Sequence, residues 1–166
     1  MTGPDTAVGR EEQQSADAIR CLSIPIEGSA LLLPYTAVAE VIELGHPTPL
    51  ANGPGWLLGL RQWRGVTVPV LTLESLVGTA STSLSGPPEK VVVCNTLNGN
   101  PKLPFLAVAA SGVPRLTWAR RDALATMEKS GNRERPAALG HMRMPNGDII
   151  IPDFDVLEQM LLRLGL

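Results

Sequence analysis

Residues 54–78 read Pro-Gly-Trp-Leu-Leu-Gly-Leu-Arg-Gln-Trp-Arg-Gly-Val-Thr-Val-Pro-Val-Leu-Thr-Leu-Glu-Ser-Leu-Val-Gly. An apolar run ends at Trp63, Gly65 supplies a turn, and a β-branched run follows with Val66, Val68 and Val70 on one face: strand, turn, strand. Pro69 cannot donate a ladder hydrogen bond, so an edge or a bulge is expected there. Glu74–Val77 reads as one helical turn closed by Gly78. Arg64 stands at the tip between two apolar strands.

Upstream, residues 20–26 alternate with Leu22, Ile24 and Ile26 on one face, a half-buried strand. Gly28-Ser29 turns the chain into a second strand, Ala30–Leu33, stopped by Pro34. Residues 38–44 are β-branched enough for a third strand. Residues 45–55, with three prolines and three glycines, form a loop. Downstream, the Ser/Thr/Gly/Pro stretch 79–89 reads as a linker. Strands at 90–97 and 103–110 meet at Asn98-Gly99, a strong hairpin signal. Residues 112–116 suggest one more strand, and 119–135 are polar and partly helix-permissive. Residues 138–152 read as a second hairpin about Asn146-Gly147. Asp153 or Asp155 can cap a final helix whose buried stripe is Leu157, Met160, Leu161 and Leu164. Residues 1–18 read as a disordered polar tail, leaving 19–166 as the folded domain.

The opening stretch has an echo. Leu58-Gly59 leads through a strand, Gly65, a β-branched strand and Pro69 to a short helix. Leu139-Gly140 leads through the same order, with Gly147 and Pro152, to the final helix. Two similar β lobes would account for both.

The chain has 166 residues and a net charge of -2, with charged residues at 18% against an average of about 25%. That is not the basic footprint of a nucleic-acid binder. Sixteen glycines and fifteen prolines fit many short strands joined by turns. The first residues lack the apolar core of a signal peptide, and no apolar run approaches a membrane span of about 20 residues. The expectation is a soluble cytoplasmic protein, with no membrane insertion, whose Cys21 and Cys94 are buried free thiols.

Little points to chemistry. His46, His141, Cys21 and Cys94 lack metal-ligand spacing, so no metal or other cofactor is expected. No phosphate-binding glycine loop or nucleophile elbow is present. A Cys94–His141 pair is the one nucleophilic alternative, that of a small β-barrel enzyme or ligand carrier. Glu158 and Arg163 read as a solvated helix face. Trp56, Trp63 and Trp118 read first as core residues, although Trp and Arg also dominate binding energy when exposed. Glu40, inside an apolar strand, must face solvent, pair with an arginine or lie at an interface.

The ordered features resemble the CheW-like family, the adaptor domains of bacterial chemosensory arrays. The resemblance rests on Leu33-Pro34, Val38, Glu40-Val41, Pro54, Gly59, Arg64-Gly65, Val68-Pro69-Val70, Leu73, Leu76 and Gly78, and more weakly on residues 90–116 and 148–161. It implies an all-β fold: two intertwined five-stranded SH3-like β-barrel lobes with short helices and a C-terminal helix. It also implies a non-enzymatic adaptor joining the regulatory domain of a chemotaxis-type histidine kinase to the cytoplasmic tip of methyl-accepting chemoreceptors. In such proteins the groove between the barrels takes receptor helices and the end of the first barrel takes the kinase. The partner-binding residues it implies here are Val38, Glu40, Ile42, Trp63 and Arg64, with Arg64 tied to kinase control. Trp63 stands where the family usually has Leu, Arg61 where it has an apolar residue, and Thr72 where it has Asp. Those departures resemble the adaptors of type IV pilus systems more than the flagellar adaptor.

Overall fold

The computed structural model describes residues 17–79 and 87–166. The N-terminal tail expected at 1–18 and the linker expected at 79–89 therefore fall largely outside the described residues. In chain order the elements are β1 (Ala18–Ile26), β2 (Ser29–Pro34), β3 (Val38–Glu43), β4 (Leu57–Trp63), β5 (Val66–Leu71), α1 (Glu74–Val77), β6 (Lys90–Asn95) and β7 (Phe105–Ala110). Then come β8 (Arg115–Arg120), α2 (Arg121–Ala125), β9 (Glu128–Lys129), β10 (Ala138–Met142), β11 (Asp148–Pro152) and α3 (Phe154–Arg163). The fold is mostly β, and one turn of 3-10 helix, Tyr35–Ala37, joins β2 to β3.

The strands make two sheets, ordered β8-β1-β2-β11-β10-β9 and β3-β6-β7-β5-β4. The chain starts in the first sheet, builds all of the second and returns, which is the intertwining expected of the two lobes. The echo in the sequence is an echo in space. Each sheet runs antiparallel, antiparallel, parallel, antiparallel along five strands, with β2‖β11 in one matching β7‖β5 in the other. The β4–β5 and β10–β11 hairpins are equivalent, each followed by a helix. Both carry a register shift at their Leu-Gly pair, at Gly59 and at Gly140. The sixth strand, β9, has a counterpart too: it pairs Glu128 with His141, as an isolated bridge pairs Thr48 with Leu60.

Burial explains the strands that do not alternate. One core contains Leu22, Ile24 and Leu31 from the first sheet with Leu71, Val92 and Leu106 from the second, and so joins the lobes. A second cluster of Val68, Val70, Val91, Val93, Ala107 and Ala109 covers the other face of the second sheet. With apolar groups on both faces, β6 has no polar side and reads as a continuous run. Pro69 lies in an interior strand, not an edge, but pairing of β5 to β7 begins only at Val70, so its missing N–H interrupts no ladder on that side.

Other expectations shift. Asn98-Gly99 is not a two-residue turn: the last pair is Asn95 with Phe105, and a longer tip spans 96–104. Met142 likewise pairs with Ile149, so the loop about Asn146-Gly147 is longer than a tight turn. In α3, Asp153 is the cap, accepting from the Val156 N–H at 3.2 Å. Leu157 and Leu161 are buried, but Leu164 is exposed past the helix end. Phe154 and Glu158 complete the buried face instead.

Candidate functional site

The turn between β4 and β5 builds the site. Trp63 pairs with Val66, so Arg64-Gly65 is a two-residue hairpin loop, and both residues have positive φ, +49° and +77°. That is the geometry of a type I′ turn, whose twist suits a right-twisted hairpin but which strains any residue with a Cβ. Gly65 adopts it freely; Arg64 does not.

Three of the residues expected to bind partners meet here. The Trp63 indole N–H donates to Glu40 Oε2 at 2.7 Å. The Arg64 guanidinium lies 3.2 Å from the same oxygen and 5.0 Å from the centre of the Trp63 ring. Trp63 is half-buried, edge-on to Phe105 with ring centres 4.9 Å apart, and packs on the second apolar cluster. So Trp63 is both packing residue and carboxylate ligand. Arg64 is 69% exposed and has donors left for another carboxylate. Such an exposed ion pair stabilises the fold by no more than about 1 kcal/mol, so its value lies in what it presents.

Glu40 and Ile42 lie on one face of β3, and a register shift between Val38 and Glu40 turns Val38 to the other. Ile42 packs on the second cluster, as Trp63 does, whereas Val38 packs on the shared core and stays apart from the Glu40–Trp63–Arg64 group. Ala39, Val41 and Glu43 are exposed, and β3 is an edge strand. Val41, missed in the sequence reading, is the exposed apolar residue of that edge; the alternation of residues 38–43 carried the signal. Arg61 donates to the Glu43 carbonyl, which ties the end of β3 to β4.

The chain enters β3 along the wall of an apolar cleft of about 380 Å³. One side comes from β2 and β11, through Leu33, Pro34 and Ile151. The other comes from the tip of the β6–β7 hairpin, through Leu97. Leu97 and Leu139 line it and are 63% and 57% exposed. A partner's apolar side chains, spaced as on a helix, would find anchors there.

The chemical alternative does not assemble. Cys94 lies in the second sheet, fully buried, its thiol 3.6 Å from the Val92 carbonyl and its pKa pushed up to about 12 by burial. His141 lies in the first sheet, with Nδ1 2.7 Å from Ser130 Oγ and Nε2 3.3 Å from Glu128. Cys21 is also a buried free thiol, with its pKa raised by burial. Among the described residues no group of three metal-ligating side chains gathers, and no helix is long and apolar enough to cross a membrane.

Two other readings are corrected. Trp118 is 61% exposed, because β8 is an edge strand and the core ends short of it. Glu158 is buried, because its carboxylate accepts from the Leu97 backbone N–H at 2.6 Å and from Asn98 Nδ2 at 2.8 Å.

The family model described as the CheW-like domain matches residues 20–159. Among solved structures, the chain is similar to the scaffolding protein TtCheW from Thermoanaerobacter tengcongensis. The TM-score is 0.61 at 16% identity, over 81% of this chain and 88% of that one. None of the curated proteins matches.

Proposed function

The chain belongs to the CheW-like domain family, and from that premise we propose that it is a non-enzymatic scaffold of a bacterial chemosensory system. In this reading it joins the regulatory domain of a chemotaxis-type histidine kinase to the cytoplasmic tips of chemoreceptors, in the cytoplasm. The system it serves is one of chemotaxis or of type IV pilus motility. The observation that carries the reading is the gathering of Glu40, from one edge strand of the second sheet, with Trp63 and Arg64 at the hairpin of the other.

A coupling scaffold needs two separate surfaces on a body that does not deform. The shared core supplies the stiffness. The cleft supplies apolar anchors for a helical tip, and the β3 edge with Arg64 supplies a charged contact that sets register and specificity. Val38 and Ile42 act from beneath, by holding β3 in place. Signal passes as a change in relative placement of partners, with no bond made or broken here.

Photo-cross-linking in the native cells tests this. With p-benzoylphenylalanine at Val41 or at Leu139, both exposed, adducts to a chemotaxis-type kinase or a chemoreceptor are expected. Adducts to neither from either position would overturn the reading.

A further inference from the structure

The cleft has one wall that the sheets do not hold. Leu97 sits in the tip 96–104 of the β6–β7 hairpin, beyond the last strand pair. Within the tip, the Thr96 N–H donates to the Pro104 carbonyl at 3.1 Å and Thr96 Oγ1 donates to the Leu103 carbonyl at 2.6 Å; Leu103 is anchored in the shared core. None of these ties holds Leu97 or Asn98. What does is α3, an element of the other lobe. Glu158, 1% exposed, takes the Leu97 N–H on Oε1 and Asn98 Nδ2 on Oε2, and Asn98 Nδ2 also lies 2.9 Å from Asp155 Oδ1.

We propose that Glu158, through Asn98 and the Leu97 backbone, is a positioning residue that latches the lip of the cleft to the opposite lobe. The inference rests on reading the cleft as a partner-binding groove. A carboxylate is costly to bury and stays only where its oxygens are satisfied; here both oxygens are spent on one loop. The effect is to preset Leu97 facing Leu139, so that a partner entering the cleft does not have to order its wall. Asp155 lines the cleft and shares the Asn98 amide, so an occupant that binds Asp155 acts on the latch directly.

The test uses the full chain without any partner. In Glu158→Leu neither acceptor remains, so both bonds are lost. Hydrogen exchange at the Leu97 amide should speed up at least tenfold, while Val92 and Leu106 in the sheets keep their rates. Nitroxides at Leu97→Cys and Leu139→Cys, with Cys21 and Cys94 replaced by Ala, should give one narrow distance that broadens in Glu158→Leu. Asn98→Ala, a surface change, should give a smaller effect of the same kind. Unchanged exchange at Leu97 would overturn the latch. So would an equal rise at Val92 and Leu106, which would make Glu158 a general stabiliser of the fold. Because no partner is present, a failed latch leaves the scaffold reading standing, and failed cross-linking leaves the latch standing.

Discussion

Arg64 holds a left-handed backbone at a position where glycine or asparagine would be relaxed. Strain kept at an exposed, paired arginine is the pattern of a residue retained for what it contacts. Arg64→Gly should raise stability by about 1 kcal/mol, seen as a shifted denaturant midpoint, while lowering recovery of partners. An unchanged or lower midpoint would mean that Arg64 stabilises the turn. Cys94 makes a second prediction. Burial raises its folded pKa to about 12 from an ordinary value near 9, so the folded state keeps a proton that the unfolded chain releases. Its contribution is intact below pH 9 and falls as pH rises from 9 toward 12. Cys94→Ala should flatten the alkaline limb of the stability curve across that window. At residue scale the sequence was only partly legible. The grouping of Glu40 with Arg64 could be anticipated from a carboxylate in an apolar strand and an arginine at a hairpin tip. Glu158 could not: its donors come from a loop about 60 residues away, and nothing in a helical stripe says that a carboxylate on it will be met. Trp118 failed for the converse reason, since a strand's pattern does not tell whether a neighbour will cover it.

Strands and helices were more legible, because periodicity and turn residues act locally. Val66, Val68 and Val70 do face one cluster, and Gly78 does close α1 in the left-handed region. Loop lengths at Asn98-Gly99 and Asn146-Gly147 were not legible, because tertiary contacts outbid the local turn: Asn98 is taken by α3, and Gly147 lies against the Gly28 carbonyl. The duplicated bulges give an element-scale prediction. At Gly59, φ is +144° and an added Cβ would lie 2.4 Å from the Thr48 carbonyl oxygen. At Gly140 the nearest atom, the Glu128 oxygen, would be 3.3 Å away. Gly59→Ala should therefore cost roughly 2–4 kcal/mol and Gly140→Ala distinctly less, measured by chemical denaturation. Equal costs would mean that the two hairpins do not differ as their geometry implies.

At the scale of the molecule, two lobes of matching strand order share one core, and the chain crosses between them twice. Such a body should unfold as one unit. Ile24→Ala, in the first sheet, should cost about 2–5 kcal/mol and speed exchange equally in β6 and β7 of the second. Exchange confined to the first sheet would show lobes that melt apart, and a scaffold that transmits placement poorly. The scaffold role turns on the presentation of Arg64 to a partner. Its most direct measurement is recovery of a chemotaxis-type kinase or chemoreceptor with the tagged protein from its native cells, compared with Arg64→Glu. Recovery with the wild type, and at least tenfold less with a variant that folds normally, is the predicted result. Equal recovery with both, or neither partner with the wild type, would contradict it.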